Sequence, residues 1–194
     1  ISADRALCTV PLSVMSEIQF APALSGEKQS AIAELPYTSI TRVYFQMRRR
    51  YWLEQGLYGD CLTDLPIQAV VESTVGQAGE RGILHSYTAA DEARRLGGLS
   101  PEARNAAVLD QFEKIMPGAR DHAERAHAVD WDRDPWAKGA FVWFRPGQMR
   151  AHHASLSTAE GDLHFAGEHG SDYPGWMEGA LQSGQRAARE VLRG

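Results

Sequence analysis

The stretch "HFAGEHGSDYPGWMEGALQSGQRAAREVLR", His164 to Arg193, joins a short β-type run to a glycine-rich loop and then to a helix of small residues. The strand is read as "LHFAG", the loop as Glu168 to Pro174, and the helix as about Trp176 to Leu192. A strand that feeds a loop and a helix start aims free backbone N–H groups, and the positive end of the helix dipole, at whatever lies in front of it. Gly179, Ala180, Ser183, Gly184, Ala187 and Ala188 recur at spacings of three and four. They form a ridge almost free of side chains, so the helix can lie close to a flat partner or another backbone. Glu178 suits the positive pole and Arg189 and Arg193 the negative one. Small residues alone would equally describe a tightly packed structural helix; the order of residues decides the matter, not the composition.

Outward from that block, the bounds are those of a globular protein. The chain has 194 residues, 43% hydrophobic and 23% charged, enough for one or two domains with a core. A net charge of -5 argues against a nucleic-acid partner held through phosphate neutralisation, and the basic triplet Arg48 to Arg50 reads as a solvated face. Cys8 and Cys61 have no metal-ligand spacing, so neither a zinc site nor a disulfide framework is supported. No apolar run approaches the roughly 20 residues that span a bilayer, and the start lacks the pattern of a signal peptide. The expectation is a soluble chain of undetermined compartment, with secretion left open, no membrane partner and no metal. A start at Ile1 instead of Met fits a processed fragment or a trimmed chain.

The remaining elements follow from pattern. "ADRALCTVPL" is a β-type run ended by Pro11, and a short amphipathic helix is expected at Glu27 to Leu35. "SITRVYFQMR" from Ser39 alternates and is rich in β-branched and aromatic residues, which predicts a strand. "PIQAVVEST" and "GILHSYTA" predict two more, separated by the glycine-bearing "VGQAGER". Ser100 and Pro101 supply a cap and a first-turn proline for a helix whose apolar stripe is Ala106, Leu109, Phe112 and Met116, stopped by Pro117 and Gly118. "RAHAVDW" and "GAFVWF" read as strands, the latter ended by Arg145, Pro146 and Gly147. Strands and helices mix without strict alternation, so the fold class is α+β or an interleaved α/β architecture.

The order "HFAGEH...PGWMEGALQSGQRAAREVL" closely resembles the C-terminal signature of the flavin-dependent amine oxidases, a family that includes monoamine, polyamine and L-amino-acid oxidases. "ADRALCTVPLSV", "SITRVYFQM...YW" and "WDRDPWAKGAFVWFRPG" resemble further family segments in the right order, so the likeness spans essentially the whole chain, loosely from Gly56 to Asp130. It implies the C-terminal part of an FAD-dependent amine oxidase fold. Residues 1–10 would belong to the FAD-binding region, 11–150 mostly to the substrate-binding domain, and 151–194 to the C-terminal FAD-binding segment. It also implies that Glu168 meets the flavin's ribityl hydroxyls, that Gly167 lets the backbone approach, and that Gly175, Trp176 and Met177 face the cofactor. The Met177 N–H would address the pyrimidine carbonyl, where a helix dipole stabilises developing negative charge. Trp176 and Phe141 would form the aromatic walls of the substrate site, with Trp143 extending the second.

Three departures from the family pattern carry consequences. Ala140 stands where monoamine oxidases bear the cysteine that attaches their flavin, which implies a non-covalent FAD. Arg42 stands where many members carry a lysine that holds a water near the flavin; an arginine can hold a water but cannot give up its charge. The family's G-x-G-x-x-G turn is absent, since "GQAGERG" at Gly76 to Gly82 has the wrong spacing. The resemblance therefore implies a separate N-terminal chain carrying that turn, in a hetero-oligomer or a proteolytically matured enzyme like bacterial L-glutamate oxidase. The implied reaction is oxidation of an L-amino acid by dioxygen to a 2-oxo acid, ammonia and hydrogen peroxide. A monoamine or polyamine oxidase on the same scaffold, and a non-catalytic stabilising chain, are the alternatives. Arg145, His152 and His153 read as surface-loop donors.

Overall fold

A computed structural model describes Ile1 to Arg193. In chain order the strands are β1 (Ala6–Cys8), β2 (Tyr37–Thr38), β3 (Ile40–Met47), β4 (Cys61–Leu62), β5 (Ala69–Glu72), β6 (Gly82–Ala89), β7 (Ala123–Asp130), β8 (Phe141–Val142) and β9 (Leu163–Phe165). The α-helices are α1 (Leu12–Met15), α2 (Gly26–Glu34), α3 (Ala90–Gly97), α4 (Pro101–Ile115), α5 (Ala119–His122), α6 (Gln148–Ser157) and α7 (Met177–Arg193). The chain divides into two compact units. One is Ser39–Arg133; the other joins Ile1–Thr38 to the segment from Asp134 onward. These divisions fall at 38/39 and 133/134, whereas the sequence reading set its boundaries at 10/11 and 150/151.

The unit Ser39–Arg133 is a five-stranded antiparallel sheet in the order β4-β5-β6-β3-β7. Alternation along β3 sends Val43, Phe45 and Met47 to one face and Arg42, Tyr44 and Gln46 to the other. The first face is covered by α3 and α4, which bring Leu96, Val108 and Phe112 into a core with Trp52, Ile67 and Leu84. Ser100 caps α4, its hydroxyl accepting the Ala103 N–H at 3.2 Å. The expected stripe is rotated on the helix: Val108, Gln111, Phe112 and Met116 are buried, Leu109 is half-buried and Ala106 is exposed. Gln111 belongs inside because its side-chain oxygen takes the Ile67 N–H at 2.9 Å.

Arg50 departs from the solvated face expected for the basic triplet. Its guanidinium donates to the carbonyls of Thr74, Gln77 and Gly79 at 3.2, 3.0 and 2.9 Å, closing the 74–79 loop. Arg48 and Arg49 are exposed as expected.

The other unit carries two small sheets. β1 and β9 pair in parallel, Leu7 opposite His164, and β2 and β8 pair antiparallel, Tyr37 opposite Val142. Leu12, Met15, Ala31, Val142, Leu156 and Phe165 form its core. Lys28 is buried there: its ammonium donates to the Ser155 and Thr158 carbonyls at 2.6 and 2.8 Å and lies 3.6 Å from the Phe165 ring centre. Burial lowers its pKa to about 8, against the opposing pull of Glu160. The strands expected at "ADRALCTVPL" and "GAFVWF" shorten to three and two residues. The sequence reading assigned no helix at α3 or α6: α3 follows β6 without a break at Ala90, although Asp91 and Glu92 at its start and Arg94 and Arg95 at its end are a helix signal, and α6 buries only His152 and Leu156.

Candidate functional site

Strand β9 delivers the chain to the loop that the opening stretch singles out. Gly167 leaves it at φ 151°, and a Cβ there would fall 2.2 Å from the His169 ring, so only glycine fits. Its N–H donates to the Ser183 hydroxyl on α7 at 2.9 Å. Glu168 then turns inward. One carboxylate oxygen accepts the Val142 N–H at 3.2 Å and the other accepts the Gly175 N–H. The carboxylate thus ties β8 to the start of α7. Burial raises its pKa above the ordinary carboxylate range, and these two donors only partly oppose that rise.

Gly175, at φ 80°, brings the loop against the Phe141 ring, which a Cβ would meet at 3.1 Å. Gly179 is pressed on the Ser171 hydroxyl and the Tyr173 carbonyl, where a Cβ would come within 2.2 and 2.3 Å. The first turn of α7 is thereby seated on the loop, and among the described residues no main-chain acceptor takes the N–H groups of Met177 and Glu178, as expected of a helix start. Trp176 and Met177 stand 71% and 87% exposed at that tip. The ridge is used in two ways: Gly179, Ser183 and Ala187 pack inward, while Ala180 and Ala188 remain open.

Gly167, Glu168, Gly175, Trp176, Met177 and Phe141 thus belong to one strand–loop–helix construction. Trp143 lies one residue past the end of β8 and is 44% exposed, with the Arg145 guanidinium 5.8 Å from its ring centre. Its N–H still donates to the Pro36 carbonyl at 3.1 Å, so the alternation that sends Phe141 and Trp143 to one side persists although the ladder has stopped. Arg42 is on β3, in the other unit.

Sequence reasoning missed the residues that hold this construction. Tyr37 is half-buried, accepts the Leu12 N–H at 3.0 Å, and has its phenol pKa raised by burial and then by Glu168. Ser171 donates to the Glu168 carbonyl at 2.7 Å and accepts from the Tyr173 N–H at 3.1 Å. His169 is 3% exposed, and burial followed by the Lys28 charge pushes its pKa down to about 4. Tyr37 and His169 act through partners distant in sequence, and the Ser171 bonds, though local, follow from the fold of the loop, so no spacing announces them.

A half-buried carboxylate clamp, tightly packed glycines and a long helix with an exposed first turn come together in one unit. Residues 1–192 match the model of the family described as flavin containing amine oxidoreductase, and the chain belongs to that family. It is 35% identical to YobN of Bacillus subtilis (strain 168), over 99% of this chain and 41% of that protein. It is 31% identical to the flavin-dependent L-tryptophan oxidase RebO of Lentzea aerocolonigenes, over 100% of this chain and 42% of the relative. Cyclohexylamine oxidase from Brevibacterium oxydans IH-35A superposes with a TM-score of 0.90 at 25% identity, covering 98% of this chain and 43% of that structure.

The chain therefore spans about two fifths of the length of the proteins it matches. FAD is the cofactor that membership implies, and the exposed first turn of α7 at Trp176 and Met177 offers backbone N–H groups that would fit it. Among the described residues no cluster suited to a metal ion occurs, and no helix is long and apolar enough to cross a membrane.

Proposed function

We propose that this chain is the C-terminal portion of an FAD-dependent L-amino-acid oxidase, working with an N-terminal chain that carries the dinucleotide-binding glycine turn. The observation that carries the reading is the Glu168 clamp, which fixes Phe141, Gly175 and the α7 tip together in one unit. In this reading the unit of Ile1–Thr38 and the segment from Asp134 onward serves the flavin and also supplies the aromatic walls Phe141, Trp143 and Trp176. FAD, which would be held non-covalently since Ala140 offers no sulfur, would supply a two-electron acceptor that dioxygen can reoxidise to give hydrogen peroxide.

The chain's own residues position and polarise. The Met177 N–H at the positive pole of α7 would hold the flavin ring and favour negative charge there, and Glu168 would accept from the cofactor's hydroxyls with the lone pairs its backbone donors leave free. Phe141, Trp143 and Trp176 confine a neutral substrate amine, and no side-chain base is required of them. The amino-acid reading draws support from the 31% identity with an L-tryptophan oxidase; the superposition with cyclohexylamine oxidase favours a second reading, a simple amine oxidase on the same scaffold.

Native mass spectrometry with a visible spectrum, followed by a peroxide assay over L-amino acids and their decarboxylated amines, tests the proposal. The expected result is a yellow complex with a second polypeptide that releases peroxide from amino acids. Peroxide from amines alone selects the second reading, and a colourless, solitary folded chain overturns both.

A further inference from the structure

Lys28 of α2 carries a charge that packing alone does not call for. It is 1% exposed, and among the described residues no carboxylate pairs with it. Glu160, whose charge favours the ammonium, is itself held by the Ser25 N–H and hydroxyl at 2.9 and 2.7 Å. A buried ammonium without a counter-charge is costly, and an apolar side chain of similar length would fill the same space without that cost. Breaches of this kind concentrate where a protein works.

The ammonium grips two elements. Nζ donates to the Ser155 and Thr158 carbonyls at the C-terminal end of α6, the negative pole of that helix, and stands over the Phe165 ring of β9. Arg186 of α7 makes a parallel set of contacts, donating to the Ser157 and Phe165 carbonyls at 3.1 and 2.7 Å, but Glu190 pairs its charge at 2.7 Å. Two cations therefore fasten the end of α6 to Phe165, and only Lys28 leaves a net charge there. Phe165 stands two residues before Gly167, and the Ala166 N–H between them is tied to the Cys8 carbonyl at 3.0 Å. The path from the ammonium to the turn is short and fixed.

We propose that Lys28 is a positioning residue for the cofactor: its ammonium pins the end of α6 to Phe165, fixing where Gly167 and Glu168 leave β9, and its unpaired charge favours the anionic, diphosphate-bearing FAD. The inference rests on the flavin reading for its ligand, but the fastening of the turn can be measured without it. Deprotonation separates the two roles, because a neutral amine still donates to both carbonyls while the charge is gone. Burial brings that event down to about pH 8, with Glu160 and Cys8 opposing and Arg186 assisting, and His169, already lowered to about 4, stays neutral throughout.

FAD is returned to the assembled oxidase after its flavin has been stripped, and the dissociation constant is read from the quenching of flavin fluorescence from pH 6.5 to 9.5 at constant ionic strength. In the wild type it should rise roughly tenfold as pH passes about 8, the effect of a difference of about one unit in the Lys28 pKa between bound and free protein. Lys28→Arg keeps its charge and should give a flat profile; Lys28→Met should bind weakly at every pH, also without a step. A step that survives in either variant, or none in the wild type, overturns the proposal. A wild type that takes up no FAD removes the flavin reading, and hydrogen exchange then decides the fastening. In Lys28→Met, or Lys28→Gln if the first does not fold, the hydrogen-bonded amides of Ala166, Gly167, Gly170 and Ser171 should exchange roughly tenfold faster, with those of β3 unchanged and Lys28→Arg like the wild type. Unchanged exchange at those four amides overturns it.

Discussion

His169 shows how one side chain can be forced by its surroundings. It is enclosed by the Gly167 turn and faces the Lys28 charge, and its pKa falls from 6.5 to about 4. The unfolded chain binds a proton below 6.5 that the folded chain refuses, so the stability is present above pH 6.5 and lost as pH falls toward 4. At about 1.4 kcal/mol per pKa unit the loss is about 3 kcal/mol across that window. His85, also lowered to about 4, adds a loss in the same direction. Urea midpoints measured from pH 7.5 to 4.5 should fall steadily, and His169→Gln should remove about half of the slope. A variant as acid-sensitive as the wild type would mean that His169 is not neutral in the folded chain. Neither histidine could be singled out from sequence, because what shifts them is burial by residues far along the chain.

Among elements, the connection from β9 to α7 was legible because its chemistry is local: glycines at 167 and 175, an acid after the first, an aromatic before the helix. The sequence also supported β3 and α4, where alternation and a capped, proline-led start act over neighbouring residues. The α4 face was misplaced because Gln111 goes inside to meet the Ile67 N–H, and no apolar pattern anticipates a buried amide. Helix α6 was missed for a related reason: its anchors are the Lys28 ammonium on its last carbonyls and His153 Nε2 beside the Ser171 carbonyl at 2.8 Å.

The β9–α7 connection also yields a test. In Gly167→Ala the new methyl meets the His169 ring at a backbone angle that alanine avoids, so the loop must shift and the Ser183 tie loosens. A loss of roughly 1–3 kcal/mol in urea unfolding is expected, with weakened FAD retention on gel filtration. An alanine variant that keeps both stability and colour would show that the turn does not set the approach to the cofactor.

At the scale of the whole molecule, the resemblance to one family was legible over essentially the whole chain, and the family model matches residues 1–192. The sheet β1–β9 bears on what completes the protein. It has two parallel strands of three residues each, and Ala6 and Leu7 are exposed. Parallel sheets are ordinarily covered and many-stranded, and a two-stranded one has little stability of its own. The proposed N-terminal chain would supply a parallel strand beside β1 along with the glycine turn that this sequence lacks. Hydrogen exchange followed by mass spectrometry should then find the amides of residues 5 to 8 exchanging fast in the isolated chain and slowly in the yellow complex. The amides of β3, paired on both sides already, should change little. Equal exchange at β1 in the two samples would place the partner elsewhere and remove the strand-completing role proposed for it.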